Sequence, residues 1–516
     1  MGRGRVEQVI LENGAIRTMD PSLPLGRALA IAGELVAGGV GVHETSLATP
    51  DVVDLGGRCV IPGITDSHTH FPTWATALRL IRLEEATSAE DAAERMRPGV
   101  GAVKSHRWFR AQGFRETNWP SLPTKEILDA VTGDVPAAVI SKDFHAIWLN
   151  SAGIARTGGD LRRYDVPGGV VELGADGEPS GLIREESAWR FKEDHLEYSD
   201  AEYLEALREG LKLAASRGVT AIHDKDGWIP AVPRLWQELE TQDALPIRVW
   251  QSVPHENVDR FAEIGLASGL GNRVRLGYLK VFMDGTLGSK TALMTDGTGV
   301  EITTREELAD IVCRAADARW PVAVHAIGDR ANQNALDAFE ETRDAWQPLG
   351  LRHRIEHTQC LRPEDIGRFA ELGLTASVQF SHAPSDEELA HRFWADRLDG
   401  VYSWRDLLSA GTRLINGSDA PIEELDPWGG IVAGVLRHWR EDQRVTVEEA
   451  LVASTVNPAW QTGDERRRGK LLPGYLADLV VLDRDPFTIP LEELPEVQVV
   501  ATMVGGRWTH NPPPWN

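Results

Sequence analysis

Signals for strands and helices alternate along the chain from Val219 onward, and this alternation constrains the fold more than any other feature. Apolar segments of strand length are separated by stretches of helical period, such as residues 306–318, 331–346 and 363–372. Strands that alternate with helices pair in parallel through right-handed crossovers. The predicted strands are the apolar run 59–64 before His68, 219–222, 247–253, 274–283, 322–324, 354–355, 374–378 and 413–415. Eight is the number of strands that closes a (β/α)8 barrel.

The rest of the chain does not follow this alternation. Residues 71–198 are too long for one crossover connection, so we interpret them as an insertion after the first barrel strand. The two ends of the chain read as short strands with turns, at 6–11, 28–31 and 52–55 and again at 477–482 and 497–504. Because chain termini often lie close together, these end segments are expected to pair with each other.

Charge and cysteine content exclude several classes of function. The formal net charge of −24 argues against nucleic acid or an anionic membrane as partner, because both are polyanions. Three widely spaced cysteines imply no disulfide framework. No segment resembles a signal peptide or reaches membrane-spanning length. We therefore expect a cytoplasmic protein, and a homodimer is a base-rate expectation.

Candidate metal ligands stand at the ends of several predicted strands. His68 and His70 are two residues apart, so on a strand their side chains point to the same face and can share an ion. In a (β/α)8 barrel the catalytic groups gather at the carboxyl ends of the strands. The six candidate ligands are His68, His70, Lys280, His325, His357 and Asp419. Their common position at or near strand ends is stronger evidence for a metal site than any single residue.

Lys280 and Asp419 indicate what such a site can do. A lysine flanked by apolar strand residues has a lowered pKa when buried, and its neutral amine can react with carbon dioxide to give an anionic carbamate ligand. Imidazole and carboxylate groups suit zinc or a related divalent ion. Asp419 can bind the ion and accept a proton from a water that the metal activates as hydroxide. The expected chemistry is therefore metal-dependent hydrolysis.

Longer motifs around these ligands resemble the amidohydrolase superfamily, and more narrowly its YtcJ-like branch (amidohydrolase 3), which includes N-substituted formamide deformylases. The resemblance covers nearly the whole chain. The motifs are Pro62-Gly63-Ile64-Thr65-Asp66-Ser67-His68-Thr69-His70, Leu279-Lys280-Val281-Phe282-Met283-Asp284-Gly285, Val324-His325-Ala326-Ile327-Gly328-Asp329, Arg354-Ile355-Glu356-His357, Gly417-Ser418-Asp419-Ala420-Pro421 and Pro473-Gly474-Tyr475-Leu476-Ala477-Asp478.

This resemblance implies a TIM-barrel hydrolase with a small composite β-sandwich domain. The implied parts are residues 1–61 and 467–516 for the sandwich and 62–466 for the barrel, including the insertion at about 71–198. It also implies one or two divalent ions per chain, with Lys280 as the possible carboxylated bridge. The leading expectation is cleavage of an amide, formamide or N-acyl C–N bond other than a peptide bond.

Three further histidines are candidates for substrate contact. His223 and His382 follow predicted strands, and His145 lies in the insertion. Two alternatives to amide cleavage stay open at this point. The same site would serve a cyclic amidase or a deaminase, since loops rather than ligands select the substrate. The remaining alternative is a non-catalytic barrel that only binds a ligand.

Overall fold

The computed structural model describes residues 8–39, 47, 50–101 and 107–515. The first two residues of the strand predicted at 6–11 therefore lie outside the described part. The chain separates into two compact units. One comprises Met1–Pro72, Leu207–Asp284 and Leu293–Asn516, and the other comprises Thr73–Ala206 and Gly285–Ala292. The domain boundaries predicted at 61/62 and 466/467 stay a prediction.

The first unit contains an eight-stranded, nearly closed sheet in which every neighbouring pair is parallel. In chain order, barrel strands 1 to 8 are Ile64–Thr69, Val219–Asp224, Arg248–Pro254, Val274–Phe282, Val322–Ala326, Arg354–His357, Thr375–Val378 and Arg413–Asn416. The prediction of an α/β fold built on an eight-stranded parallel barrel sheet is confirmed.

Closure of this sheet takes place just beyond strand 8. The Asp419 backbone N–H donates to the His68 carbonyl at 2.7 Å, and the His70 N–H donates to the Ala420 carbonyl at 2.8 Å. Gly417 makes this approach possible, because a Cβ at that position would lie 2.3 Å from the His68 backbone nitrogen. The backbone thereby brings the two ends of the sheet together beside His68.

The apolar run at 59–64 is divided between two sheets, which corrects the reading of it as one strand. Cys59–Pro62 pairs with the carboxyl-terminal strand Leu479–Leu482, and barrel strand 1 begins only at Ile64. Gly63 separates the two segments and donates its N–H to the Asp478 carbonyl at 2.8 Å.

Helices separate most of the barrel strands. Thr304 begins the helix Arg305–Asp317 with a capping box in which its hydroxyl and the Glu307 carboxylate satisfy each other's backbone N–H groups. The other helices of this unit are Val232–Thr241, Val258–Glu263, Asp329–Glu341, Arg343–Trp346, Pro363–Leu372, His382–Phe393, Trp404–Ser409, Pro427–Val435, Val447–Ser454 and Val456–Gln461. Two further helices, Phe71–Ala77 and Asp200–Ser216, lie where the chain passes between units.

Strands from both ends of the chain form a second sheet of the first unit. Its strands are Gln8–Arg17, Leu25–Ala32, Leu35–Gly38, Asp51–Asp54, Cys59–Pro62, Leu479–Leu482, Val499–Val504 and Arg507–His510. Leu11, Leu29, Leu479 and Met503 belong to the apolar cluster that this sheet buries. A two-layered sandwich stays a prediction.

The second unit has its own six-stranded sheet and apolar core. The strands are Ile81–Arg82, Phe109–Phe114, Ala137–Ser141, Ala146–Leu149, Gly169–Leu173 and Pro179–Glu185. The helices are Ala89–Val100, Lys125–Thr132, Ser151–Arg156 and Glu186–His195. Phe114, Trp119 and Trp148 pack against one another in its core. Among the described residues, no helix is long and apolar enough to cross a membrane.

Candidate metal centre

His68, His357 and Asp419 converge at the carboxyl end of the barrel sheet. One potential ligand atom from each of the three lies within 4.8 Å of the other two. His68 Nε2 is 3.3 Å from Asp419 Oδ1, and the rings of His68 and His357 are 4.8 Å apart. All three residues are buried. Three side chains from strands 1 and 6 and the loop after strand 8 therefore share one small volume.

The backbone at two of these residues has an uncommon conformation. His357 ends strand 6 with φ +74°, and Asp419 has φ +58°. A non-glycine residue in the left-handed region costs free energy, and such residues concentrate at functional sites. Both residues with this strained backbone contribute a side chain to the cluster around His68.

The other predicted ligands surround this group. His70 Nε2 lies 3.5 Å from Asp419 Oδ1, and the His325 ring is 4.5 Å from that of His357. Lys280 is buried on strand 4, with its Nζ 4.4 Å from the centre of the Phe282 ring. Burial lowers the pKa of Lys280 to about 8, although Glu356 and Asp419 favour its charge. The six residues predicted from sequence are thus placed at one end of the barrel, and their role as ligands stays a proposal.

Three histidines of the centre each have a carboxylate or amide oxygen within hydrogen-bond distance of Nδ1. His68 Nδ1 is 2.8 Å from Glu356 Oε2, and His70 Nδ1 is 2.8 Å from Asp226 Oδ1. His357 Nδ1 is 2.9 Å from the amide oxygen of Gln379. These acceptors assign the ring proton to Nδ1 and leave Nε2 of each histidine as a potential ligand atom.

Glu356 is the centre of a fully buried ionic network. Its Oε1 lies 2.8 Å from Lys225 Nζ and 2.8 Å from Arg354 Nε, while Oε2 meets His68. Burial disfavours its charge, but Arg354 and His68 hold the pKa of Glu356 well below its usual range. Glu356 therefore stays ionised behind the His68 ring.

The chemistry of this group fits a divalent cation. Among the described residues, four buried atoms here have no hydrogen-bond partner, namely His68 Nε2, Lys280 Nζ, Asp419 Oδ1 and His382 Nε2. Burial lowers the pKa of His68 to about 3 and that of His357 well below its usual range, so both imidazoles are neutral, as metal binding requires. Burial also raises the pKa of Asp419, a penalty that a bound cation would remove.

The three histidines predicted to contact substrate occupy different surroundings. His382 belongs to the centre, with Nε2 3.7 Å from Asp419 Oδ2 and Nδ1 3.1 Å from Gln359 Nε2. His223 on strand 2 pairs through Nδ1 with Arg354 at 3.0 Å. His145 lies in the second unit, where Nδ1 is 2.6 Å from Glu185 Oε2 and the ring packs on Trp189. Contact of each with substrate stays a prediction.

Three polar residues around the centre were not predicted from the sequence, namely Lys225, Asp226 and Gln379. They follow strands 2 and 7 without a repeated spacing that would distinguish them from other polar loop residues. The signal that could have identified Asp226 is its place just beyond a barrel strand, where carboxylates often orient metal-binding histidines.

A parallel barrel sheet with histidines, a lysine and a carboxylate at its carboxyl end defines the class of metal-dependent hydrolases. Residues 51–510 match the amidohydrolase family Amidohydro_3. The putative amidohydrolase YtcJ of Bacillus subtilis is 30% identical over 479 residues, which cover 88% of this chain and 89% of that protein. The chain belongs to the amidohydrolase family, and the predicted resemblance is confirmed.

Two further relatives give the range of similarity. The N-substituted formamide deformylase of Arthrobacter pascens is 24% identical over 536 residues, covering 97% of this chain and 98% of that enzyme. The crystal structure of an uncharacterized metal-dependent hydrolase from Pyrococcus horikoshii superposes with a TM-score of 0.77 at 28% identity, covering 94% of this chain and 99% of that one. Family and fold together support a hydrolase that depends on a divalent metal.

Proposed function

We propose that the protein cleaves an amide, formamide or N-acyl C–N bond of a small molecule. The observation that carries this proposal is the Asp419 carboxylate, buried beside the neutral imidazoles of His68 and His357, with Oδ1 free of hydrogen bonds in the described structure. The name of the deformylase relative supports a formamide or a related amide as substrate. A carboxylate beside a metal centre is the general base and acid that such a reaction needs.

The proposed cofactor is zinc or another divalent metal, as one or two ions per chain, with the ligands His68, His70, Lys280, His325, His357 and Asp419. A divalent cation held by these residues would lower the pKa of a water and polarise the carbonyl of the substrate. Asp419 takes a proton from the attacking water and delivers it to the nitrogen of the leaving amine. Glu356 and Asp226 keep His68 and His70 in the tautomer that presents Nε2 to the ion.

Lys280 is the proposed site of N-carboxylation. Its buried Nζ has no hydrogen-bond partner among the described residues, and a pKa of about 8 leaves a useful fraction of neutral amine at neutral pH. The amine nitrogen forms a bond to the carbon of carbon dioxide and releases one proton to water, which gives an anionic carbamate. Mass spectrometry of the intact chain, before and after removal of bicarbonate, tests this step against a Lys280→Gln control.

A substrate screen tests the proposed reaction. The purified zinc-loaded protein is incubated with formamides, N-acyl amino acids, hydantoins and aminopurines, and released amine or ammonia is measured. We expect turnover of a formamide or N-acyl compound, and loss of turnover after chelation with recovery on adding zinc. Turnover of hydantoins or aminopurines alone would replace this proposal by a cyclic amidase or a deaminase. No turnover of any compound by fully metal-loaded protein would favour the non-catalytic alternative.

Three sequence-based expectations accompany this proposal. His145, His223 and His382 contact the substrate, two chains form a homodimer, and the protein acts in the cytoplasm. Contact with substrate is tested by alanine variants at the three histidines, assayed for a change in KM. The homodimer is tested by sedimentation equilibrium. The composite β-sandwich of residues 1–61 and 467–516 is proposed as a separate layered domain.

A further inference from the structure

An arginine-lined cleft lies near the amino ends of barrel strands 3 and 4. About 400 Å³ of space lies between its walls, part of which is open solvent, so the cleft is shallow and suits only a small ligand. Arg248 is the first residue of strand 3 and Arg275 is the second residue of strand 4. The arginines that line this cleft are Arg248, Arg273, Arg275, Arg467 and Arg468. Five guanidinium groups around one cleft are unexpected in a chain of net charge −24.

Three of these arginines share two carboxylates. Arg248 makes a double hydrogen bond to Asp478 at 2.8 and 2.9 Å, and Arg275 makes one to Asp464 at 3.1 Å. Arg468 lies 3.3 Å from Asp478 and 3.7 Å from Asp464. These pairs fix the wall of the cleft but leave one of the three positive charges unbalanced.

The other two arginines have no carboxylate within ion-pair distance in the described part of the chain. Arg273 donates from Nη1 to the Leu245 carbonyl at 2.9 Å, and Arg467 is exposed at the mouth. Five guanidinium groups against Asp464 and Asp478 leave a formal surplus of three positive charges. Glu34 faces Arg248 and Arg273 from a longer distance, and with it the surplus is two.

The positive charges in the wall of the cleft suit an anion. Burial and the neighbouring Arg248 lower the pKa of Arg273, so the cations repel each other and would be stabilised by a negative charge. Guanidinium groups match the geometry of phosphate and carboxylate oxygens.

We infer that this cleft is a binding site, separate from the metal centre, for a small anion that carries two or more phosphate or carboxylate charges. Arg273 and Arg467 supply the unpaired donors, and the paired Arg248, Arg275 and Arg468 line the site. The inference does not depend on the reaction proposed above, because none of the six proposed metal ligands lines the cleft. His223 does line it, but the argument for anion binding rests on the arginines and not on the proposed contact of His223 with substrate.

Calorimetric titration of the full-length protein with inorganic pyrophosphate and with succinate, at low ionic strength, tests the site. The test variant is Arg273→Gln combined with Arg467→Gln. The control is Arg260→Gln combined with Arg466→Gln, which removes the same charge from two exposed arginines outside the cleft. We expect one anion per chain in wild type and control, and affinity weaker by about tenfold or more in the test variant.

Equal affinity in all three proteins would overturn the inference, because the anion would then be bound elsewhere, for example at the metal centre that both variants retain. Absence of binding to wild type would overturn it as well, and the cluster would then only join the barrel to the terminal sheet. If the double variant fails to fold, Arg467→Gln alone serves, since this side chain is exposed. An unchanged affinity in that variant would equally contradict the site.

Discussion

The two ends of the barrel strands differ in whether their buried polar groups have partners. At the carboxyl end, imidazoles and the Asp419 carboxylate leave buried atoms without hydrogen-bond partners among the described residues. At the amino end, Arg248 and Arg275 are matched to carboxylates by double hydrogen bonds. Strand 4 has both kinds of residue, since Arg275 is its second residue and Lys280 the seventh of nine.

Polar groups that pair with each other stabilise the fold, whereas buried polar groups without partners are available to bind a ligand. An ion pair between barrel and terminal sheet stabilises the structure only while both partners remain. Unpartnered imidazole and carboxylate atoms cost stability unless an ion joins them. Substitutions at the carboxyl end should therefore affect catalysis and metal binding, whereas substitutions of the paired arginines and carboxylates at the amino end should affect folding.

Asp419→Asn should have the largest effect. The amide keeps the shape of the side chain but cannot accept and return the proton, so kcat should fall about 10²- to 10⁴-fold. Steady-state kinetics on the substrate found by the screen measure the change, with circular dichroism as a check of folding. Retained turnover would contradict the role of Asp419.

Asp478→Ala should destabilise the fold without touching the metal centre. The change leaves Arg248, which is largely buried, without its carboxylate, and we expect a loss of about 3–5 kcal/mol in the free energy of unfolding. Urea unfolding measures the loss. The matched control is Asp243→Asn, which breaks the exposed pair with Arg507 and should leave stability unchanged. Similar stability of the two variants would remove the contrast between the two ends.

Glu356→Gln should weaken metal binding by about 10- to 100-fold, because His68 loses the carboxylate that orients its ring. Chelator competition measures the affinity. The single variant also leaves the Lys225 and Arg354 cations buried without their carboxylate, so Lys225→Met combined with Glu356→Gln serves as the control that removes one of these charges. The double variant should recover part of the lost stability but not the affinity. Unchanged affinity in both would show that Glu356 is only a structural counter-ion.

His353 should give the smallest effect, a pH dependence of stability. Burial lowers its pKa to about 3 in the fold from about 6.5 in the unfolded chain, and its Nδ1 accepts the Val322 N–H at 2.9 Å. The unfolded state therefore binds more protons between these values. The stabilisation is complete above pH 6.5 and is lost on acidification, at up to about 1.4 kcal/mol per pH unit.

Comparison with His353→Asn isolates this effect, because the amide oxygen can accept the same N–H without titrating. Urea unfolding of both proteins between pH 7 and pH 5 gives the two slopes. The wild type should lose more stability than the variant over this range. Parallel slopes would show that other groups set the acid sensitivity.

Strand periodicity predicted the barrel and the placement of the candidate ligands at one end of it, because most of them follow an apolar segment and Lys280 lies within one. His68, His325 and His357 could be placed at strand ends from local pattern alone. Local pattern alone does not divide the run 59–64, since Cys59–Pro62 and Ile64–Thr69 are both buried and apolar at the junction, and only the family resemblance implied a boundary at 61/62. Only pairing with Leu479–Leu482, distant in sequence, separates them.

The partners behind the histidines depend on tertiary contacts that local pattern does not contain. Alternation along a strand places Glu356 and His357 on opposite faces. The φ of +74° at His357 ends that alternation, so both residues reach His68. Asp226 meets His70 across 156 positions in the sequence. A conformation and a contact of this kind follow from the closed sheet and not from residue spacing.

The most direct test of the account is a crystal structure of the zinc-loaded protein with anomalous data recorded at the zinc edge. We predict an anomalous peak at the carboxyl end of the barrel sheet, with His68, His357 and Asp419 ligand atoms about 2.0–2.2 Å from the ion. An ion bound only elsewhere, with the three side chains keeping their present distances and no peak between them, would contradict the assignment of this cluster as the metal centre.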